Sequence, residues 1–300
     1  MIIINYIIIF SVAITLAILK TIGAPPNTFE SIGQSEEDLF DMAAVGDIGC
    51  ITGGETISSL GRTAPDIVLF LGDLSYVNQF DDEKNNDNIT CFFDKTSTLN
   101  NKSKVLVALG NHDIGQSYVN ETTKKMLMAR YSIPTEGYYS ETLDDGKILV
   151  IVMNYTGLCD DYRDYVLKGS DQYDFVKNTL EESNAKYKIV TGHAPFISED
   201  CEDCHSRMDG VFDAYHSLFN DTGVNLVLSA HNHNYQRLQE DSVTYIISGL
   251  GGDRPHMIEA EGNKFSDVHG FLHLVFNDKS IDGKFTPNEG ETRDRFKIEV

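Results

Sequence analysis

The chain has 300 residues, and its 46 Asp and Glu outweigh 24 Lys and Arg to give a formal charge of −22. With 41% hydrophobic and 10% aromatic residues it has the means to bury a sizeable core, which excludes a disordered chain. The charge excludes a nucleic-acid partner; it also repels phosphate esters, so a phosphate site here needs strong local positive charge, for which a metal centre is the natural source.

In chain order, Met1 to Leu19 is almost wholly apolar, broken by Asn5, Ser11 and Thr15. Lys20 ends the run and small residues follow at Gly23-Ala24, before Pro25-Pro26. This is the pattern of a signal peptide cleaved near Ala24, with an uncleaved signal anchor as the competing reading. The expected organisation is therefore a signal peptide over 1–24, a lead-in over 25–39 and a single catalytic domain over 40–300. The charged C-terminus leads to no expectation of a lipid anchor. Five sequons, at Asn88, Asn101, Asn120, Asn154 and Asn220, agree with export and with N-glycans. Of the five cysteines, Cys50, Cys91, Cys159, Cys201 and Cys204, some should pair in an oxidising compartment and one is left over. Cys201 and Cys204 read as a local disulfide or as partners of other cysteines, ahead of a metal site.

Beyond the leader, short apolar runs alternate with polar, helix-like stretches. The strand candidates are Phe40–Val45, Ile67–Leu71, Val105–Leu109, Ile148–Met153, Lys188–Val190, Leu226–Leu228, Val243–Ile247 and Phe271–Phe276. Helices are expected over Asp171–Ser183 and Asp209–Phe219. The Asn- and Asp-rich stretch Gln79–Asn101 reads as an excursion over the surface, and Lys284–Val300 as a closing hairpin. The βα alternation favours an α/β or layered α–β architecture.

The strand ends share a peculiarity. They run into Gly46-Asp47, Gly72-Asp73-Leu74-Ser75-Tyr76, Gly110-Asn111-His112-Asp113, Gly192-His193 and His231-Asn232-His233. Five strands thus end in groups able to ligate a metal, mostly beside a glycine that lets the backbone turn tightly. Each piece alone also fits a plain turn; their occurrence together and in order does not.

This ordered set resembles the calcineurin-like metallophosphoesterases. Tyr76, three residues after Asp73, narrows the resemblance to the purple acid phosphatases, and His231-Asn232-His233-Asn234-Tyr235-Gln236-Arg237 and Ser248-Gly249-Leu250-Gly251-Gly252 are similar to motifs of that family. The resemblance implies a layered αββα fold of two packed mixed sheets flanked by helices. It also implies seven metal ligands, Asp47, Asp73, Tyr76, Asn111, His193, His231 and His233. Hard Fe(III) suits the carboxylate and phenolate oxygens of Asp47, Asp73 and Tyr76 together with His233. A divalent Fe, Zn or Mn suits His193, His231 and Asn111. Asp73 would bridge the two, setting them about 3.5–4 Å apart.

The implied activity is that of a secreted acid phosphatase, cleaving monoesters with a metal-bound hydroxide, with His112 stabilising the transition state or protonating the leaving group. Its substrates would be small phosphorylated molecules or phosphoproteins, and its location extracellular or lysosomal/vacuolar. Asn111 and His205 are the substrate-binding candidates, His205 lying at an offset from His193 that departs from the family spacing. Tyr235 and Arg237 either line the cleft or pack, and Arg254 is a candidate phosphate contact. His216, His256, His269 and His273 read as structural. Two alternatives stand beside this reading: a phosphodiesterase of the same superfamily acting on nucleotides or phospholipid headgroups, and an exported metal-binding protein without turnover.

Overall fold

Alternation decides the architecture. In the computed structural model, which describes residues 39–76, 82–99, 101–114, 121–156, 163–199 and 210–300, the first strand, β1, covers Phe40–Val45. Met42 and Ala44 face one way and Ala43 and Val45 the other, and all four are fully buried. A strand apolar on both faces needs cover on both. One face meets a second sheet and the other meets helices, so the chain builds four layers.

The first sheet has the order β13-β12-β11-β1-β2-β3. Here β2 is Ile67–Phe70, β3 Lys104–Val107, β11 Gly270–Phe276, β12 Ser280–Pro287 and β13 Arg293–Glu299. The second sheet has the order β10-β8-β9-β7-β6-β5-β4. Its strands are β4 Tyr139–Leu143, β5 Ile148–Val152, β6 Tyr187–Thr191, β7 Leu226–Ser229, β8 Tyr235–Glu240, β9 Val243–Ser248 and β10 Lys264–Phe265. Both sheets are mixed: β1, β2 and β3 run parallel, as do β5, β6, β7 and β9; antiparallel strands close both edges of the second sheet and one edge of the first, whose other edge is β3.

Between the sheets lies a core that includes Met42, Ala44, Leu69, Val150, Ile189, Leu228 and Leu272. Outside the first sheet, a second core gathers around α1 (Gly54–Thr63), α2 (Asp82–Thr96) and α4 (Glu121–Tyr131), with Ile57, Phe92 and Leu127 packed against Val45, Val68 and Phe70. Outside the second, α6 (Asp171–Glu182) and α7 (Val211–Thr222) press Val176, Leu180, Tyr215 and Phe219 onto Leu149, Ile151, Val190 and Val227. Ser170 caps α6 by accepting from the Tyr173 amide, and Gly223, at φ 74°, ends α7 in the left-handed region. Two single turns, α3 (Asn111–Ile114) and α5 (Arg163–Val166), complete the helices. The layered αββα fold implied by the motifs is the one observed.

One expectation is corrected here. Most of the stretch Gln79–Asn101 is no surface excursion: α2 occupies Asp82–Thr96 and buries Ile89, Phe92 and Thr96 against the first sheet. The many Asn and Asp residues in the segment masked a buried stripe at helical spacing. Cys91 of this helix forms a disulfide with Cys50, just after β1, across 41 residues of chain, and Lys95 donates to the Cys50 carbonyl oxygen at 2.8 Å. Replacing Cys50 by Ala is expected to cost about 2–4 kcal/mol of stability. Urea unfolding of variant and wild type checks this, and coincident transitions would show that the bridge carries no stability. The closing hairpin is present as β12 and β13, paired antiparallel. The signal peptide expected over 1–24, the expected lead-in except Leu39, and Cys159, Cys201, Cys204, His205 and Asn120 lie outside the described residues. Residues 38–300 form one compact unit.

Candidate metal centre

The parallel strands of both sheets deliver their C-terminal ends to one edge, where the chain must turn away from the sheet and where sites in such sheets are built. Asp47 follows β1, Asp73 and Tyr76 follow β2, Asn111 follows β3 and opens α3, His193 follows β6, and His231 and His233 follow β7. Four of these residues hold a backbone conformation that side-chain-bearing residues rarely adopt: φ is 54° at Asp47, 56° at Asp73, 47° at Tyr76 and 68° at His231. Such strain costs of the order of 1–3 kcal/mol per residue and persists where the surroundings over-determine it.

The surroundings do so here. Gly72, at φ 94°, lies where a Cβ would stand 2.6 Å from His193 Nδ1 and 2.8 Å from Gly110 Cα. A Cβ on Gly110 would stand 2.1 Å from Asp73 Oδ1. Both glycines are needed because the strand ends close directly on the carboxylate and the imidazole.

Asp113 ties this corner together. Its fully buried carboxylate accepts from the amides of Asp73 (2.9 Å), Leu74 (2.8 Å), Ser75 (3.2 Å) and Gly110 (2.9 Å). Burial, together with the Asp73 charge, pushes its pKa up to about 6 while the Gly110 and Leu74 amides pull it back, and four amide donors on one carboxylate suit the ionised form. The motif that contains Asp113 gave it no role of its own; its carboxylate is committed to the strained turn that presents Asp73.

The side chains converge in two groups. In the first, His193 Nε2 lies 3.3 Å from Asp73 Oδ2, 3.0 Å from Asn111 Oδ1 and 3.1 Å from His231 Nδ1. The other nitrogen of His193 faces the Leu71 carbonyl oxygen at 2.7 Å, so Nδ1 donates there and the Nε2 lone pair points inward. In the second, His233 Nε2 lies 3.4 Å from Asp47 Oδ1 and 3.3 Å from Tyr76 OH, while its Nδ1 donates to the Arg254 carbonyl oxygen at 2.7 Å. Asp47 Oδ2 accepts from the His231 amide at 2.8 Å, and the His112 amide donates to Asp73 Oδ1 at 2.8 Å. All seven residues singled out as ligands therefore meet in one place, and six of them are buried. Asp73, His193 and His231 present atoms within 4.8 Å of one another, a spacing that one ion could span.

The electrostatics fit a cation. Asp47 Oδ1 is buried without hydrogen-bond geometry to any described residue. Burial disfavours the Asp73 charge, yet His193, His112 and His231 outweigh it and hold the carboxyl well below the usual range. Burial likewise works against charged imidazoles, yet Asp73 and Asp47 push His193 up to about 9, and Asp47 with the Arg254 carbonyl and Asp253 does the same for His233. Burial, and then the charges of Asp47, Asp73 and Asp253, raise the Tyr76 phenol well above its ordinary value. Carboxylates, imidazole lone pairs and a phenol crowded in this way call for positive charge among them, and metal binding would displace the protons that otherwise supply it.

His112 stands apart. Its ring is half-buried and lies 4.9 Å from the Tyr76 ring at a 34° tilt. Tyr235 and Arg237 pack rather than line a cleft. Tyr235 stacks on Phe265 and donates to Asp294 Oδ2 at 2.8 Å, while Arg237 forks onto both Asp294 oxygens at 2.7 and 2.9 Å. Arg254 bears on the site through its carbonyl. His216 bridges Tyr245 and Asp241, and His273 pairs with Asp41 at 2.7 Å, both remote from the ligand cluster in their contacts. His269 donates to the Asp253 carbonyl oxygen at 3.1 Å. His256, by contrast, stacks on His233.

Fold and site together define a metallophosphoesterase fold with a candidate metal centre at its strand ends. The chain belongs to the calcineurin-like phosphoesterase family, whose model matches residues 42–235. Within it the likeness is to purple acid phosphatases, as the motifs imply. Purple acid phosphatase 15 of Arabidopsis thaliana is 26% identical over 252 residues, 72% of this chain and 46% of that protein. Among solved structures, the purple acid phosphatase PPD1 of yellow lupin seeds superimposes with a TM-score of 0.68 at 17% identity, over 87% of this chain and 54% of that one. GAP50 of Plasmodium, described as the anchor in the inner membrane complex, shares the fold with a TM-score of 0.64 at 16% identity, over 87% and 89% of the two chains. The chain spans about half the length of the curated relatives it matches.

Proposed function

We propose that the chain hydrolyses phosphate monoesters at a binuclear centre, with Asp47, Asp73, Tyr76 and His233 around a ferric ion and Asp73, Asn111, His193 and His231 around divalent Fe, Zn or Mn. The observation that carries this reading is the placement of the Tyr76 hydroxyl beside His233 Nε2 and Asp47, on a strained turn that the fold maintains. A phenol oxygen beside a carboxylate and an imidazole adds the hard donor that a ferric ion prefers. Two ions at the site would supply a water of lowered pKa and positive charge for the phosphoryl oxygens. The chain's own groups do the rest: Asn111, beside His193, flanks the substrate position, and His112 delivers a proton to the leaving oxygen.

Export by the secretory pathway, to the outside or to a lysosome or vacuole, belongs to the same proposal. It is supported by the Cys50–Cys91 disulfide, which persists in oxidising compartments, and by the exposed sequon residue Asn101.

The test is the visible absorption spectrum of the purified protein beside Tyr76→Phe. The expected result is a broad tyrosinate-to-iron charge-transfer band that the variant lacks. A colourless wild type containing two metals would overturn the iron assignment and move the reading to a Zn- or Mn-dependent phosphoesterase. Hydrolysis of a chromogenic monoester beside the matching diester then checks the substrate class, monoester preference being expected.

A further inference from the structure

The arm that follows β9, Asp253-Arg254-Pro255-His256, lies outside every motif that marks the site, yet it holds His233 from four directions. The His233 Nδ1 proton goes to the Arg254 carbonyl oxygen at 2.7 Å. Asp253 Oδ2 lies 3.8 Å from the same nitrogen. The His233 amide donates to His256 Nδ1 at 3.1 Å, and the His256 amide donates back to the His233 carbonyl oxygen at 2.9 Å. The two imidazoles stack with centroids 4.1 Å apart and planes 6° from parallel. The arm is itself pinned at its start, where the Asp253 amide donates to the Asp47 carbonyl oxygen at 3.1 Å and the Asp253 carbonyl oxygen accepts from His269. Pro255 keeps Arg254 out of the helical region and so steadies the direction of its carbonyl.

We infer that His256 is a positioning residue for His233, its Nδ1 setting the register of the two residues and its ring the plane, so that Nε2, and not a ring carbon, meets Asp47 and Tyr76. This rests on the reading of the site as a metal centre. An imidazole has two soft torsions, and the Arg254 hydrogen bond alone leaves the ring free to swing about the Nδ1–oxygen direction. The parallel ring of His256 removes that freedom on one face. Its Nδ1, by accepting from the His233 backbone, sets the distance between the two residues. Because Nδ1 is an acceptor, the His256 proton sits on Nε2, away from His233. An aromatic residue without the acceptor would keep the stack and lose the register. Outer partners that orient a ligating histidine are typically worth about 10–100-fold in metal affinity.

The experiment compares wild type, His256→Phe and His256→Asn. Competition titration reads Zn affinity, and hydrogen exchange reads the His233 amide in metal-free protein. His256→Phe should speed exchange at the His233 amide and weaken one of the two Zn sites about 10–100-fold. The other site and the thermal midpoint of the metal-free protein should stay near wild type. His256→Asn, whose Oδ1 can replace the lost acceptor but not the stacked ring, should restore slow exchange at the His233 amide and recover part of the affinity. Faster exchange in His256→Phe with wild-type affinity at both sites would overturn the inference, since the latch would be broken without consequence for His233. Equal weakening in both variants, with a matching fall in thermal midpoint, would also overturn it, by reducing His256 to a filler. A wild type that binds no Zn would instead sink the metal-centre reading itself, and this inference with it.

Discussion

Asp73→Asn is expected to abolish activity and metal loading together while leaving the fold intact. The change preserves side-chain volume at a fully packed position, and one amide oxygen can still accept from the His112 amide as Asp73 Oδ1 does at 2.8 Å. What it removes is the charge that serves both halves of the site. Asp73 Oδ2 faces His193 Nε2 at 3.3 Å, and the Asp73 charge bears on His112, His231 and Tyr76 as well. A neutral amide cannot bridge two cations. Metal analysis after dialysis, with circular dichroism to confirm the fold, checks the outcome; retention of both metals would contradict a bridging Asp73.

A pH signature accompanies the loss. In metal-free protein, Asp73 and Asp47 overcome burial to raise the His193 pKa to about 9, against an ordinary 6.5. The folded state then binds this proton more tightly than the unfolded chain does. The stability it contributes is full below about pH 6.5 and is lost as pH rises through about 9. The His233 imidazole, raised in the same sense, adds to that slope. Asp73→Asn should flatten the His193 part, so unfolding midpoints of metal-free wild type and variant converge at alkaline pH.

Much of the site was legible because its residues follow strands, and strands announce themselves by apolar runs ending in glycine. Asp47, Asp73, Asn111, His193 and His231 could be found by reading what comes after each run, and the structure gathers them. The supporting layer was not legible, for a physical reason. Asp113 acts through backbone amides of residues 73–75, some 40 positions away, and a hydrogen bond to a main-chain N–H leaves no mark on the sequence of its donor. His256 stacks on a residue 23 positions earlier and sits in no periodic segment. The helix α2 was hidden by composition: its sequence is so rich in Asn and Asp that the buried stripe of Ile89, Phe92 and Thr96 carries little signal. The strand β4 escaped because its residues before Leu143 are half-buried or, at Thr142, exposed, and carry little hydrophobic signal.

His112→Ala is expected to keep both metals and lose about 10²–10⁴-fold in turnover. The geometry separates His112 from the ligands beside it. His193, His231 and His233 are buried with their ring nitrogens turned toward the carboxylates, whereas the His112 ring is half-buried and flanks Tyr76 at 4.9 Å. Its backbone amide, which any residue but proline retains, already supplies the bond to Asp73 Oδ1. Truncating the side chain therefore leaves the carboxylate in place and removes only the group that could meet a leaving oxygen. A purely supportive ring would act through Tyr76, and the variant would then show a displaced charge-transfer band with a modest loss of rate. A general acid would leave the band in place and lose the rate. The loss should also shrink for an ester whose leaving group needs no protonation, because p-nitrophenolate departs unaided while an alkoxide does not. A variant equally impaired on p-nitrophenyl phosphate and on an alkyl phosphate would assign His112 to stabilising the phosphoryl oxygens, and near-wild-type rates on both would return it to a packing role beside Tyr76.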